Sequence, residues 1–170
     1  MALRFRDATP KDVAAIAALL NATSGALTAR FGEGRWSSIT SERSVELSLR
    51  HARLRVGVLE KRIVTTLRLA TKKPWAIDVA YFSPAKRPLY LTGMAVSVAH
   101  QRQGLGRAAL ADARTVAAAW PADAIRLDAY DAPAGAGPFY ERCGYEERAR
   151  VLYKDDALIY YELVLAREPG

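Results

Sequence analysis

The sequence predicts one α/β (α+β) domain on a mixed sheet, and three observations predict it. Strand-like runs rich in β-branched residues fill Leu54 to Thr71, one strand-helix-strand crossover occupies Leu89 to Tyr130, and two further strand-like runs close the chain. Parallel strands need such a crossover, whereas the runs on either side are joined tightly enough to be antiparallel. At 170 residues the chain is long enough to bury about 70 % of its unfolded surface, and no repeat or linker divides it.

Each element has its own local reason. Leu3 to Arg6 alternates as a strand, and Thr9-Pro10-Lys11-Asp12 offers an N-cap, a first-turn proline and an acidic third residue. Val13, Ile16, Ala17, Leu19 and Leu20 then recur at helical spacing, predicting a helix to about Asn21. Thr23 to Ser44, with Gly25, Gly32 and Gly34, reads as a flexible surface segment before a short helix around Val45 to His51. Leu54 to Glu60 and Ile63 to Thr71, separated by Lys61-Arg62, predict a hairpin. Lys72 to Pro88 carries Pro74, Pro84 and Pro88 and reads as an exposed, irregular connection. Leu89 to Val96 is apolar enough to be a strand buried on both faces, and a long Ala-rich helix follows from about Gly104 to Trp120. Ala124 to Tyr130 is a strand, Pro138 to Cys143 a short helix closed by Gly144, and Arg148 to Tyr153 with Leu158 to Leu165 a closing antiparallel pair.

Composition excludes several chemistries. Cys143 is the only cysteine and His51 and His100 are the only histidines, so neither an internal disulfide nor a multi-cysteine metal site fits, and no metal is expected. No stretch approaches roughly 18 unbroken apolar residues and the N-terminal residues lack a secretory leader's apolar core, so the expectation is a cytoplasmic protein without a membrane partner. The net charge of +7 is scattered rather than gathered in a tail, and no aromatic RNA-binding signature accompanies it, which argues against nucleic acid.

The chemistry concentrates at Gln101-Arg102-Gln103-Gly104-Leu105-Gly106-Arg107, between a buried strand and a helix. Glycines let backbone approach a ligand, the first N–H groups of a helix lack internal partners, and the helix dipole favours phosphate. With Arg102 and Arg107 alongside, a pyrophosphate is the natural guest. A plain glycine turn capping a helix is the competing structural reading. A Rossmann dinucleotide site is the competing functional one, since Gly104, Gly106 and Ala109 fit G-x-G-x-x-A with Asp128 downstream. Against it, Ser97 to Gln103 separates strand from glycines, and too little chain remains for a second parallel half.

Val98 through Gly106 resembles the Q/R-x-x-G-x-G/A acetyl-CoA signature of the GNAT superfamily of N-acetyltransferases, and Phe139-Tyr140-Glu141-Arg142-Cys143-Gly144-Tyr145 resembles its second recurrent stretch. The resemblance implies a mostly antiparallel central sheet with a splayed parallel strand pair and helices on both faces. It implies acetyl-CoA as co-substrate, with Met94, Ala95 and Val96 pairing through their backbone with the pantetheine arm and Gln101, Arg102, Gln103, Gly104, Leu105, Gly106 and Arg107 cradling the pyrophosphate. Asp131 stands where relatives often carry an Asn that contacts the cofactor. Tyr140 would be the general acid for the departing thiolate, with direct attack by a primary amine of a small molecule or peptide in a ternary complex.

The base is less visible. Leu89 to Val96 has no carboxylate, leaving Asp78 as a candidate against the plainer reading of a solvated loop charge. Trp75, Tyr81, Phe82 and Tyr90 are candidates for an acceptor pocket or for core, as are Glu33 and Trp36 on the early segment. A non-catalytic acyl-CoA sensor is the alternative function. Tyr153, Tyr160 and Tyr161 read as exposed aromatic surface and so predict a homodimer.

Overall fold

The computed structural model describes residues 2–165 and divides into two compact units, Met1–Leu69 with Gly93–Asp112 and Ala70–Thr92 with Ala113–Gly170. Seven strands form a mixed, mostly antiparallel arrangement with a single parallel pair.

In the first unit the ladder runs β1 (Arg4–Asp7), β2 (Arg53–Leu59), β3 (Arg62–Ala70), and then the C-terminal residues of β4 (Pro88–Val96). The β2–β3 hairpin turns at Glu60 and Lys61, both with positive φ (49° and 66°), one residue earlier than the sequence suggests. Two consecutive left-handed residues match the right-handed twist of the flanking strands, which is why so short a loop suffices.

Helix α1 (Val13–Phe31) runs ten residues past the expected end. Asp12 starts it by accepting the Thr9 N–H at 2.8 Å. Gly25 does not stop it, because one glycine costs a helix only about 1 kcal/mol. The segment expected to be flexible is instead tied back to this extension: Ser24 Oγ donates to the Trp36 carbonyl at 2.5 Å, and Thr28 Oγ1 and Ser37 Oγ share a 2.6 Å hydrogen bond. Gly32, at φ 82°, is the true terminator. Helix α2 (Glu42–His51) opens on a Ser41 cap, whose side chain accepts the Ser44 N–H at 3.1 Å.

Pro10–Phe31 is long and apolar enough, by length and composition alone, to cross a membrane. One face of it packs into the core: Val13, Ile16 and Ala17 are buried in one cluster with Val45, Leu54 and Val56.

In the second unit the order is the N-terminal part of β4, then β5 (Ala124–Tyr130), β7 (Asp156–Val164) and β6 (Glu146–Tyr153). The parallel β4–β5 pairing covers only Pro88–Tyr90 with Ala124–Arg126, while β5 stays paired to β7 along its whole length. The parallel pair therefore parts after Tyr90, as a splayed pair must. Helix α4 (Gly137–Arg142) ends at Gly144, which takes φ 92°. Helix α3 (Leu105–Ala119), like β4, contributes residues to both units.

Strand β4 corrects one expectation. Leu89, Tyr90 and Leu91 are buried, but Gly93 is exposed at φ 60°, so the apolar run is interrupted at its middle. A second correction concerns the closing strands. Tyr160 and Tyr161 are 2 % and 1 % exposed, so they are core, and of the three tyrosines expected at the surface only Tyr153 is partly exposed.

Candidate active site

The glycine turn expected to bind an anion is built in the first unit. Beyond β4 the chain is pinned by the Ser97 N–H, which donates to Val64 O of β3 at 2.7 Å, and Ser97 Oγ meets His100 Nδ1 at 3.1 Å. Gln101 Nε2 donates to Val96 O at 3.1 Å, folding the turn back onto the strand. Arg102 (φ 62°) and Gly104 (φ 81°) then adopt the left-handed region, and Gln101 through Gly104 are exposed. Left-handed backbone at a non-glycine costs about 1 kcal/mol or more and persists where the fold requires a particular direction of chain.

That direction places the start of α3 immediately after an exposed loop, so its first N–H groups have no intrahelical acceptor. An added Cβ at Gly104 would meet nothing within 4 Å, so its glycine answers to φ and not to crowding. The front of α3 is clamped by a bidentate ion pair, with Arg55 Nε and Nη2 each 2.8 Å from an Asp112 carboxylate oxygen. An exposed turn, a helix start and two arginines fit an anionic guest such as a pyrophosphate. Met94, Ala95 and Val96 follow the Gly93 kink; Ala95 is buried, and the Val96 carbonyl is the one Gln101 occupies.

The second unit holds Tyr140. Gly137 seats α4 directly on Tyr161 of β7, where a Cβ would lie 2.5 Å from the Tyr161 hydroxyl, and that hydroxyl donates to Glu141 Oε1 at 3.2 Å. Tyr140 is 8 % exposed among Phe139, Tyr145 and Tyr161, with ring centroids 5.4, 5.8 and 6.1 Å away. Burial pushes its phenol well above the ordinary tyrosine value, and the charge of Asp128 adds to that. The phenol is therefore fully protonated at neutral pH. Cys143, half-buried on the same short helix, has no disulfide.

Of the candidate pocket residues, Trp75 and Tyr81 line a cleft of about 390 Å³ with Asp78, Tyr153 and Tyr160, whereas Phe82 and Tyr90 are core. The Asp78 carboxylate has a local duty: Oδ1 accepts the Ala80 N–H at 3.0 Å, capping a 3-10 turn. The Tyr160 hydroxyl accepts the Asp78 N–H at 3.1 Å and donates to the Ala76 carbonyl. Asp131, exposed, is paired with Arg150 at 3.3 Å. Glu33 is exposed, and Trp36 donates to Gly32 O. Among the described residues no His, Cys, Asp and Glu cluster has metal-binding geometry.

Sequence reasoning missed a buried charge network. Glu162 on β7 and Arg126 on β5 pair at 2.8 Å with side chains 0 % and 4 % exposed. Ser83 N and Oγ donate to Glu162 Oε1 at 3.1 and 2.6 Å, as does Arg148 Nε at 3.0 Å, while Arg126 donates to Ser83 O at 2.7 Å and Tyr90 Oη at 3.2 Å. Burial, the largest influence, raises the Glu162 carboxyl, but the hydrogen bonds from Ser83 and Arg126 together hold it below its ordinary value. The connection expected to be irregular and exposed is thus anchored on the sheet by these bonds and by buried Ile77 and Phe82. The available signal was a charge inside each of two apolar strands, Ile-Arg-Leu and Tyr-Glu-Leu.

Residues 53–147 match the model of the acetyltransferase (GNAT) domain, so the chain belongs to the GNAT acetyltransferase family and is an acyltransferase. Among curated proteins nothing matches. Solved structures share the fold. A GNAT-family acetyltransferase from Streptococcus agalactiae 2603 is 16 % identical with a TM-score of 0.76, the match covering 97 % of this chain and 96 % of that one. A ribosomal-protein-alanine N-acetyltransferase from Brucella melitensis is 16 % identical at TM-score 0.73, covering 95 % and 99 %. The protein yncA of Salmonella typhimurium, solved with its cofactor acetyl-CoA, is 17 % identical at TM-score 0.71, covering 100 % and 98 %.

Proposed function

We propose that this acyltransferase moves an acetyl group from acetyl-CoA to a primary amine by direct attack in a ternary complex. The observation that carries the reading is the turn at Gln101 to Arg107, with Arg102 and Gly104 held left-handed at the exposed start of a 15-residue helix. That turn gives the diphosphate of acetyl-CoA backbone N–H groups and two guanidiniums, with hydrogen bonds to the charged guest worth roughly 1.5 to 3 kcal/mol each. In this reading Gln101 braces the turn and Met94 to Val96 offer backbone to the pantetheine arm. Asp131, committed to Arg150, contributes at most a second hydrogen bond to the cofactor.

Tyr140 acts as the acid. Its raised phenol keeps the proton available until a thiolate forms, and a positioned acid accelerates such a step by about 10² to 10⁴-fold. The aromatic cleft of Trp75, Tyr81 and Tyr160, with the Asp78 carboxylate on its rim, suits an amine whose cation rests against ring faces. Small-molecule amines and peptide N-termini both meet that description, and the Brucella relative's name makes a peptide acceptor worth including.

Two measurements test the proposal. Calorimetry should find acetyl-CoA binding that is lost when Gly106 is replaced by a bulky residue in a folded variant; unchanged affinity would remove the pyrophosphate assignment. Release of CoA should be seen with at least one member of a panel of polyamines, amino acids, aminoglycosides and peptides. Tight acetyl-CoA binding without transfer to any acceptor would instead favour the sensor.

A further inference from the structure

A carboxylate outside the residues assigned so far stands in a singular environment. Asp128 lies on β5 directly opposite Tyr160 in the antiparallel β5–β7 ladder, so both side chains stand on one sheet face. It is two residues past Arg126, the last residue of β5 paired with β4, and so sits where the parallel pair has parted. Tyr160 forms a wall of the aromatic cleft, and its hydroxyl holds Asp78 and Ala76 in place.

The other carboxylate on this face of the β5–β7 ladder, Glu162, is spent. Glu162 is saturated by Ser83, Arg126 and Arg148, and Arg126, the nearest cation along the strand, is consumed by that network. The Asp128 carboxylate makes no hydrogen bond or ion pair among the described residues. We propose that Asp128 is the general base of the transfer, taking the proton from the acceptor's ammonium directly or through one water, with Tyr140 as the acid. The proposal rests on the N-acetyltransferase reading.

The charged and titratable groups around it come from each packed element: Tyr140 on α4 and Tyr160 on β7, both of which feel the Asp128 charge, with Cys143 acting on Tyr140, and Asp78 and Tyr81 of the preceding connection acting on Tyr160. None of these groups is a cation. Burial alone, with no compensating donor, moves the carboxyl above its ordinary value.

The step balances. Asp128 takes one proton from R–NH3+, and the freed nitrogen lone pair forms the C–N bond to the acetyl carbonyl carbon. The C–S bond breaks as that intermediate collapses, and Tyr140 gives its proton to the departing thiolate. The tyrosinate recovers a proton from the still positively charged nitrogen, leaving the neutral amide, and Asp128 releases its proton to solvent. The net products are the acetamide, CoA thiol and one proton.

The test is the pH–rate profile of wild type, Asp128→Asn and Asp128→Glu, measured as CoA release with the best amine of the panel. Asp128→Asn should lower kcat/KM at neutral pH by about 10² to 10⁴-fold, with the deficit shrinking as pH rises toward the amine's own pKa and free amine appears without a base. Asp128→Glu should keep part of the lost rate. Acetyl-CoA affinity should stay within about twofold, and the melting temperature of Asp128→Asn should hold or rise, because a carboxylate without a partner is removed; a structural role would lower it. An Asn variant with the wild-type profile overturns the assignment alone, as does a loss of rate matched by a loss of melting temperature in both variants. A wild type that binds acetyl-CoA but acetylates no amine overturns the transferase reading, and this assignment with it.

Discussion

Two carboxylates on one face of the β5–β7 ladder, Glu162 and Asp128, have opposite fates. Glu162 sits across from Arg126 and is saturated with donors; Asp128, one pleat further along β5 and across from Tyr160, has none among the described residues. Burial acts on both in the same direction. In Glu162 the donors outweigh it and the carboxyl falls below its ordinary value, while in Asp128 nothing opposes it and the carboxyl rises. Saturation makes an anchor, and its absence makes a group whose proton can move.

Breaking the anchor should have the largest effect. Glu162→Ala leaves the Arg126 guanidinium buried without its partner, and breaking a buried pair this way costs about 3 to 5 kcal/mol. For a chain of this size that is roughly 6 to 20 °C in melting temperature by calorimetry. Replacing Arg126 and Glu162 together by leucines should recover much of the loss. A single variant that melts with the wild type would mean the network carries no stability.

Tyr140→Phe is the next largest, since it tests the acid while retaining the ring. We expect kcat to fall by about 10² to 10⁴-fold with acetyl-CoA affinity and melting temperature little changed. Turnover at the wild-type rate, with chemistry shown to be rate-limiting, would return Tyr140 to the core.

The two carboxyls should also oppose each other in acid. Glu162, held low in the folded state, contributes stability that is present above its unfolded value and lost as pH falls through the lower folded one. Asp128, held high, subtracts stability as pH rises from its unfolded value through the folded one. Asp128→Asn should therefore gain on wild type at neutral pH and match it in strong acid. A constant difference across pH 3 to 7, measured by denaturant titration, would show that the Asp128 charge is not the cause.

The smallest expected effect concerns the buried Tyr145 hydroxyl, which has no hydrogen-bond partner among the described residues. Tyr145→Phe removes a desolvated polar atom and should stabilise by up to about 1 kcal/mol. A clear loss in denaturant titration would reveal a partner, such as a bound water, that the hydroxyl needs.

Much of this architecture was legible before any coordinates, and unevenly so. The glycine turn, the short helix of Tyr140 closed by Gly144 and both hairpins announce themselves through residues that act on their own neighbours. The bulge-like kink at Gly93 was hidden inside an apolar run, and the extension of α1 to Phe31 was hidden by Gly25. Arg126 and Glu162 were illegible as a pair because they are 36 residues apart in sequence and each, read alone, is merely a charge in a strand.

The sequence by itself therefore determined the order of strands and helices, the glycine turn before α3 and the place of the candidate acid. These depend on backbone preferences, caps and left-handed glycines that operate within a few residues. Only the tertiary structure decided which carboxylate is neutralised and which is left open, which tyrosines are core, and where the Lys72 to Pro88 connection is anchored. Those outcomes depend on desolvation and on donors brought from distant strands, and neither quantity exists until the chain has folded.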